Sequence, residues 1–315
     1  MKKFMVLALA AAMSTSQLAI APAMAEYPEK PVQFVVPWPP GDLEDVLTRL
    51  IAEEFQTMYG APTAVVNRPG GGAVVGATEV ANAAPDGYTV GSFVAGVPTV
   101  KTLGENAPFK RDTFEVIGIF LTYPFLIASK KDAPYKNMKE MAEYSKTNPL
   151  RLGHFGYGLE PTLLSVYGLN ELGGKFSAEA AFDMVDCATL TNGDADVINT
   201  TAQLVLPCLK DLNIIATITS ERTSITPDVA TLGEQVPVAA ASLWNGLFVP
   251  KGTPQDVKDK LAAAAMKMVA GEKAKDIAKT TGALVYWLPA AEAQKVIDAD
   301  YEKFKSVREK LGVKD

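Results

Sequence analysis

A loop rich in proline and acidic side chains lies early in the chain, at residues 37–45 (PWPPGDLED). Its prolines hold backbone donors and acceptors in place before a ligand arrives. The N–H groups at the start of the helix that follows favour binding of an anion. Asp42, Glu44 and Asp45 also fit a structural role, because acids are common as N-caps and in the first helical turn. The residue types therefore predict either a ligand-binding loop or a well-capped helix start.

Two further loops have related chemistry. Residues 69–76 (PGGGAVVG) lack both the GxGxxG spacing of a dinucleotide loop and the Lys-Ser/Thr pair of a P-loop. Their glycines fit tight turning and close packing of a helix on a sheet. Residues 155–160 (FGYGLE) follow a predicted strand in the other half of the chain. If loops 37–45 and 155–160 face each other across a cleft, they form a binding site for a small polar molecule.

The sequence offers few residues for catalysis. Its only histidine is His154, which comes just before Gly156, and a Ser-His-Asp or Cys-His system would need it. The sequence has no GxSxG elbow, no motif around Cys187, and no CxxC or Cys/His cluster for a metal. We therefore expect no enzymatic activity, no cofactor and no metal. An exported hydrolase that uses His154 or an acidic pair is the alternative.

Short apolar strands alternate with amphipathic helices along the chain. Residues 31–37 (PVQFVVP) resemble a strand buried on both faces, and apolar side chains then recur at helical spacing from 46 to 55. This alternation predicts an α/β fold with a largely parallel sheet and right-handed crossovers. Further strands are predicted at 64–67, 88–94, 116–120, 125–128, 150–155, 196–199 and 214–218, and residues 243–249 form an apolar run. Further helices are predicted at 74–84, 138–146, 201–210, 255–269 and 290–311.

The N-terminus has the features of an export signal. Lys2 and Lys3 precede apolar stretches that are too short to span a bilayer, and the segment ends on the small-x-small sequence Ala23-Met24-Ala25. We expect a signal peptide over 1–25, cleavage after Ala25 and a periplasmic location. The formal net charge of −6 argues against nucleic acid as a partner.

The remaining 26–315 segment is long enough for two lobes, each with its own core. Because no low-complexity linker is present, the lobes must be joined by crossing strands, an arrangement that suits a closing clamp. Cys187 and Cys208 could form a disulfide in an exported chain, which would close a loop of about 22 residues and contribute roughly 3 kcal/mol. A pair of buried free thiols is the other reading.

Segments 27–45 (YPEKPVQFVVPWPPGDLED) and 65–90 (VVNRPGGGAVVGATEVANAAPDGYTV) together resemble the Bug family, the solute receptors of tripartite tricarboxylate transporters. Later segments, among them WNGLFVPKGTP, agree more loosely. The resemblance implies a monomeric, two-lobed periplasmic receptor with a ligand cleft between its lobes. It also implies that an organic acid or amino-acid-like solute is passed to the large and small membrane subunits of a secondary transporter. The first lobe is expected over 26–122 plus 247–315, and the second over 123–246.

By position, the resemblance implies ligand contacts from both lobes and from the strand that crosses back between them. The expected contacts are Trp38, Pro40, Gly41, Asp42, Asp45, Ala95, Gly96, Phe155, Gly156, Tyr157, Gly158, Leu159, Asp186, Asn199 and Trp244.

Two positions depart from the family pattern. Asp42 stands where a second glycine is usual, and Leu159, followed by Glu160, stands where a hydroxyl residue is usual. A buried Asp that faces a ligand carboxylate would cost several kcal/mol unless one of them is protonated or a cation intervenes. We therefore expect a neutral, zwitterionic or cation-bearing ligand to compete with dicarboxylates, with an aromatic face against Trp38 or Tyr157. A ligand sensor for a two-component system is the alternative to a transport receptor.

Overall fold

The structure is a computed structural model that describes residues 26–313. The expected signal peptide lies outside the described residues. The strands are β1 (Val32–Val36), β2 (Thr63–Asn67), β3 (Thr89–Val94), β4 (Phe114–Thr122), β5 (Phe125–Lys130), β6 (Arg151–His154), β7 (Ala178–Ala181), β8 (Val197–Thr201), β9 (Leu212–Ile218), β10 (Trp244–Pro250) and β11 (Leu284–Pro289). The α-helices are α1 (Leu43–Tyr59), α2 (Val74–Ala81), α3 (Met138–Ser145), α4 (Glu160–Glu171), α5 (Cys187–Thr191), α6 (Ala202–Val205), α7 (Leu232–Gln235), α8 (Gln255–Ala270), α9 (Glu272–Thr281) and α10 (Ala290–Leu311).

The strands form two sheets, and helices pack around them. The first sheet has the order β11-β4-β10-β3-β1-β2, and the second has the order β7-β6-β8-β5-β9. The chain leaves the first sheet after β4, crosses over residues 123–124 and returns as β10. The expected lobe boundary between 246 and 247 falls inside β10, which pairs within the first sheet along its whole length.

Both sheets are mixed, so the prediction of a largely parallel sheet was wrong. The pairs β1–β2, β1–β3, β6–β7 and β6–β8 are parallel. The crossing strands are antiparallel to each other, as β4 to β10 and β5 to β9. These neighbours carry the chain out of one lobe and back into it, so they must run in opposite directions.

The first binding loop is held by a buried strand and a capped helix. In β1 the side chains of Val32, Phe34, Val35 and Val36 are fully buried, which fits its nearly continuous apolar sequence. Asp42 is the N-cap of α1, and its side chain accepts a hydrogen bond from the N–H of the next residue. Asp42 is therefore a helix cap, as one of the two interpretations of the sequence predicted. This role does not prevent its side chain from also contacting a ligand.

In the second lobe, β6 leads through loop 155–159 into α4, which has no side-chain cap. The predicted helix at 201–210 is instead a short α6 followed by a 3-10 helix over Leu206–Asp211. Pro207 explains the break, because it has no N–H to continue the helix. A disulfide joins Cys187 and Cys208, with Cα atoms 6.1 Å apart. In contrast to the predicted helix at 201–210, α10 has the bounds expected from the sequence.

Candidate ligand-binding site

A cavity of about 30 Å³ lies between the two lobes, and the space that includes its open mouth is about 430 Å³. Its wall combines the loop after β1, the end of β3, the crossing segment, the loop after β6 and the start of β10. The lining residues are Trp38, Asp42, Glu44, Val94, Ala95, Tyr123, Phe125, Phe155, Leu159, Glu160, Pro161, Thr201, Leu243 and Trp244. The carboxyl ends of strands from both sheets therefore converge on one cavity, as expected for α/β ligand sites.

Aromatic rings connect the two lobes across this cavity. Trp38 of the first lobe meets Phe155 of the second edge-to-face, with ring centroids 5.8 Å apart. Phe155 continues the contact to Phe125 at 6.3 Å, and Phe125 to Tyr123 at 5.6 Å. These rings form a rigid apolar wall suited to the body of a small ligand. The indole Nε1 of Trp38 is buried and has no hydrogen-bond acceptor within the described chain.

Asp42 brings a carboxyl group into this apolar surrounding. Its Oδ1 accepts hydrogen bonds from Leu43 N–H at 2.8 Å and from the Thr201 hydroxyl, across the cleft, at 3.0 Å. Burial raises the pKa of Asp42 to about 6, although both of these donors oppose the shift. Since both recorded partners are donors, the group can be held as a carboxylate.

Glu44 lies in the same wall with a different partner. The Tyr123 hydroxyl is 3.0 Å from Glu44 Oε2 and 3.1 Å from Asn245 Oδ1. The Asn245 amide NH₂ donates to Ser92, and its Oδ1 faces the hydroxyl. A phenol has one proton for these two acceptors, so a protonated Glu44 completes the network. Burial and the nearby charge of Asp42 raise the pKa of Glu44 in the same direction.

Glu160, at the start of α4, is the third buried acid. Thr99 Oγ1 is 2.6 Å from Glu160 Oε1 and 2.8 Å from the carbonyl oxygen of Ala95. Here too one hydroxyl proton faces two acceptors, and a protonated Glu160 satisfies both. Burial raises the pKa of Glu160 to about 7, which agrees with this assignment. A Cβ on Gly96 would lie 2.7 Å from Glu160 Oε2, so glycine permits the close approach.

The backbone donors of the first loop are bonded to the chain's own carboxylates. Gly41 N–H donates to Asp45 Oδ2 at 2.9 Å, and Leu43 N–H donates to Asp42. Burial alone would raise the pKa of Asp45, but hydrogen bonds from Arg49, from Asn67 and from Gly41 N–H outweigh it and lower the pKa. The N–H groups at the start of α1, which the sequence suggested for binding a ligand anion, therefore already donate to carboxylates of the chain itself.

The structure brings part of the predicted contact set together in the cavity wall. Of that set, Trp38, Asp42, Ala95, Phe155, Leu159 and Trp244 line the cavity. The rest of the predicted set is outside the lining: Pro40, Gly41, Asp45, Gly96, Gly156, Tyr157, Gly158, Asp186 and Asn199.

Several of the predicted residues that do not line the cavity have other contacts. Asp186 caps α5 by accepting from Ala188 N–H and Thr189 N–H. Asn199 is fully buried, with long contacts of 3.4 Å from its amide nitrogen to Thr162 and Ser165. Tyr157 and Gly158 line a separate cavity beside Lys101.

His154 is buried in β6, outside the described cavity wall. Its Nε2 is 2.9 Å from Glu179 on β7, and burial lowers its pKa in spite of that carboxylate. Within residues 26–313, no group of three or more His, Cys, Asp or Glu side chains is arranged to hold a metal ion. None of the described helices is long and apolar enough to cross a membrane.

Residues that sequence reasoning did not assign complete the site. Tyr123 sits in the two-residue crossing between β4 and β5, and Thr201 ends β8. Neither lies in a recognisable motif, and each matters through a partner more than 70 positions away. Glu44 and Glu160 belonged to the noted loops, but burial, which the sequence does not report, gives them their chemistry.

Comparison with known proteins gives one consistent picture. The family model for the tripartite tricarboxylate transporter family receptor matches residues 47–313. A UPF0065 protein of Bordetella pertussis is 29% identical over 280 residues, covering 84% of this chain and 84% of that protein. The solved structure of the periplasmic binding protein BugD is 28% identical with a TM-score of 0.81, covering 91% of this chain and 99% of that one. MatC from Rhodopseudomonas palustris with bound malate is 26% identical with a TM-score of 0.80, covering 89% and 99%.

Proposed function

Because this chain belongs to the tripartite tricarboxylate transporter receptor family, we propose that it captures a small organic solute in the periplasm. It then delivers that solute to the large and small subunits of a membrane transporter. The observation that carries this proposal is the cavity whose wall is shared by both lobes. The solute is a small organic molecule, and the receptor acts as a monomer without chemical conversion of its ligand.

Contacts between the lobes explain how such a receptor closes. Besides the Asp42–Thr201 and Glu160–Thr99 hydrogen bonds, the Gln203 side-chain amide donates to the carbonyl oxygen of Gly41 at 2.7 Å. All of these bonds break when the lobes part. A ligand that touches both lobes adds its own free energy to the closed form and shifts the population towards it.

The first experiment is mass spectrometry of small molecules released from the protein after native purification. A receptor releases one chemically unchanged organic molecule per chain, and adding it back compacts the protein in small-angle X-ray scattering. Uptake of that molecule is lost when the gene is deleted. Conversion of the molecule by the purified protein, or the absence of any bound or compacting solute, contradicts a receptor function.

A further inference from the structure

We infer that the cavity selects a small organic cation, an ammonium group on a compact apolar body, in preference to a simple dicarboxylate. The inference rests on the proposed receptor function and names the ligand class of the same site. It depends on which hydrogen-bonding groups of the wall remain open to a ligand.

The groups that attract an anion at the start of α1 are occupied. The N–H groups of Gly41 and Leu43 are bonded to Asp45 and Asp42. A ligand carboxylate would have to displace one of these internal carboxylates and lie beside the other. Like charges brought together in a buried site repel strongly.

The start of α4 places a buried acid, Glu160, beside the N–H groups of the helix. Its N-cap is Leu159, and the next residue is Glu160, whose Oε1 contacts the Thr99 hydroxyl. Among the residues that the structure describes, no lysine, arginine or histidine lines the cavity. Lys101 lines the separate cavity near Gly158. Neither lobe therefore supplies a positive charge to the cavity wall.

One acceptor in the wall is both charged and open. Asp42 Oδ1 takes both recorded donors, while Oδ2 accepts no hydrogen bond from residues 26–313. Glu44 and Glu160 face hydroxyl groups that already have a second acceptor, so their protonated forms complete these networks. The described wall thus presents a single carboxylate, Asp42, which matches a ligand with one positive charge.

The rest of the wall suits the same class of molecule. Trp38 and Phe155, with Tyr123 behind them, offer aromatic surface close to Asp42, and a desolvated ammonium group gains from contact with such faces. The Trp38 side chain is only 8% exposed and its Nε1 has no acceptor among residues 26–313, so one oxygen on the ligand would satisfy it. A metal ion is a poor alternative occupant, because the described acids do not converge as a metal site.

The test is calorimetry and thermal-shift binding with matched probes. Choline and phenethylammonium are each compared with their uncharged isosteres, the carbon analogue of choline and phenethyl alcohol, and with malate and adipate. At least one cation is expected to bind about tenfold more tightly than its isostere. Its affinity should fall when the pH is lowered from about 7.5 to about 5.5, because Asp42 then gains a proton.

Asp42→Asn is the informative variant, because Asn caps a helix as well as Asp and the fold is preserved. The variant should lose about tenfold in affinity for the cation and little for the neutral isostere. Asp228→Asn removes the same charge from an exposed position and should bind like the wild type. An unchanged affinity in Asp42→Asn overturns the inference.

Two other outcomes also overturn the inference. The first is tighter binding of malate or adipate than of every cation, with affinity that rises towards low pH. The second is the absence of binding by every cation. In both cases the receptor function survives if another solute co-purifies with the protein and compacts it, so the ligand class and the receptor function fail separately.

Discussion

Helices α1 and α4 enter the cavity from opposite lobes, and each begins beside a buried acid. Both acids lie within hydrogen-bonding distance of a threonine hydroxyl of the other lobe, Asp42 of Thr201 and Glu160 of Thr99. The difference lies in the remaining partners. Asp42 also receives the N–H of Leu43, whereas the hydroxyl of Thr99 has a second acceptor. One acid is therefore held as an anion and the other as a neutral donor, although both stand at a helix start.

The largest effect should come from the disulfide that supports the α1 side of this comparison. Thr201 lies between Cys187 and Cys208, so the disulfide fixes the segment that bonds Asp42. Replacing both cysteines by serine should lower the free energy of unfolding by about 3 kcal/mol, measured in urea melts. Binding should weaken as well, while the Glu160–Thr99 contact stays intact. If reduced and oxidised wild-type protein are equally stable, the disulfide has no such role.

Because Glu160 is buried, we expect the free energy of unfolding to fall as the pH rises. The folded protein keeps a proton on Glu160, with a pKa of about 7, which the unfolded chain releases near its ordinary pKa of 4.5. The folded form therefore binds more protons between these values, and its free energy of unfolding declines as the pH increases through that window. Asp42 acts in the same direction up to about pH 6. The expected loss in the free energy of unfolding is on the order of 2 kcal/mol. It is smaller than the pKa shifts alone would give, because water hydrates both acids when the lobes part.

Glu160→Gln separates the two acids in this titration. Gln also donates a hydrogen bond to Thr99, so it mimics the protonated acid at every pH. Urea melts of this variant between about pH 5 and about pH 8 should be flatter than those of the wild type. Lys101 and Asp300 also act on Glu160, and they are present in both proteins. An unchanged slope would show that Glu160 is not the titrating group.

The sequence predicted the local parts of this arrangement and missed the contacts between distant segments. The α/β class and the family are confirmed, and Asp42 could be seen as an N-cap because a cap and its helix are adjacent in sequence. Thr201 and Tyr123 could not be found, because nothing near them records a partner in the other lobe. Strand β7 was missed as well, since its sequence AEAA lacks the β-branched residues typical of strands.

Removing the carboxyl groups should affect the two helix starts differently. Asp42→Ala loses an N-cap and leaves the Thr201 hydroxyl without its acceptor, so we expect a loss of about 1 kcal/mol in the free energy of unfolding. Glu160→Ala removes no cap, and the Thr99 hydroxyl keeps the carbonyl oxygen of Ala95 as its acceptor, so its cost should be smaller. Chemical denaturation at about pH 7 measures both. Equal losses in the two variants would remove the distinction between the helix starts.

The two threonines test the proton assignment most directly. Valine keeps the shape of threonine without the hydroxyl. At about pH 6, Thr99→Val leaves a buried protonated Glu160 with no side-chain partner, which we expect to cost about 1 kcal/mol. Thr201→Val leaves Asp42 with the N–H of Leu43 and should cost about 0.5 kcal/mol.

The two substitutions should also shift the pKa values of the acids in opposite directions. Because Thr201 donates a hydrogen bond to a carboxylate, its loss should raise the pKa of Asp42. Thr99 accepts a hydrogen bond from the protonated acid, so its loss should lower the pKa of Glu160. Carboxyl titration by NMR measures both shifts, and shifts of the same sign would mean that the two acids share one protonation state.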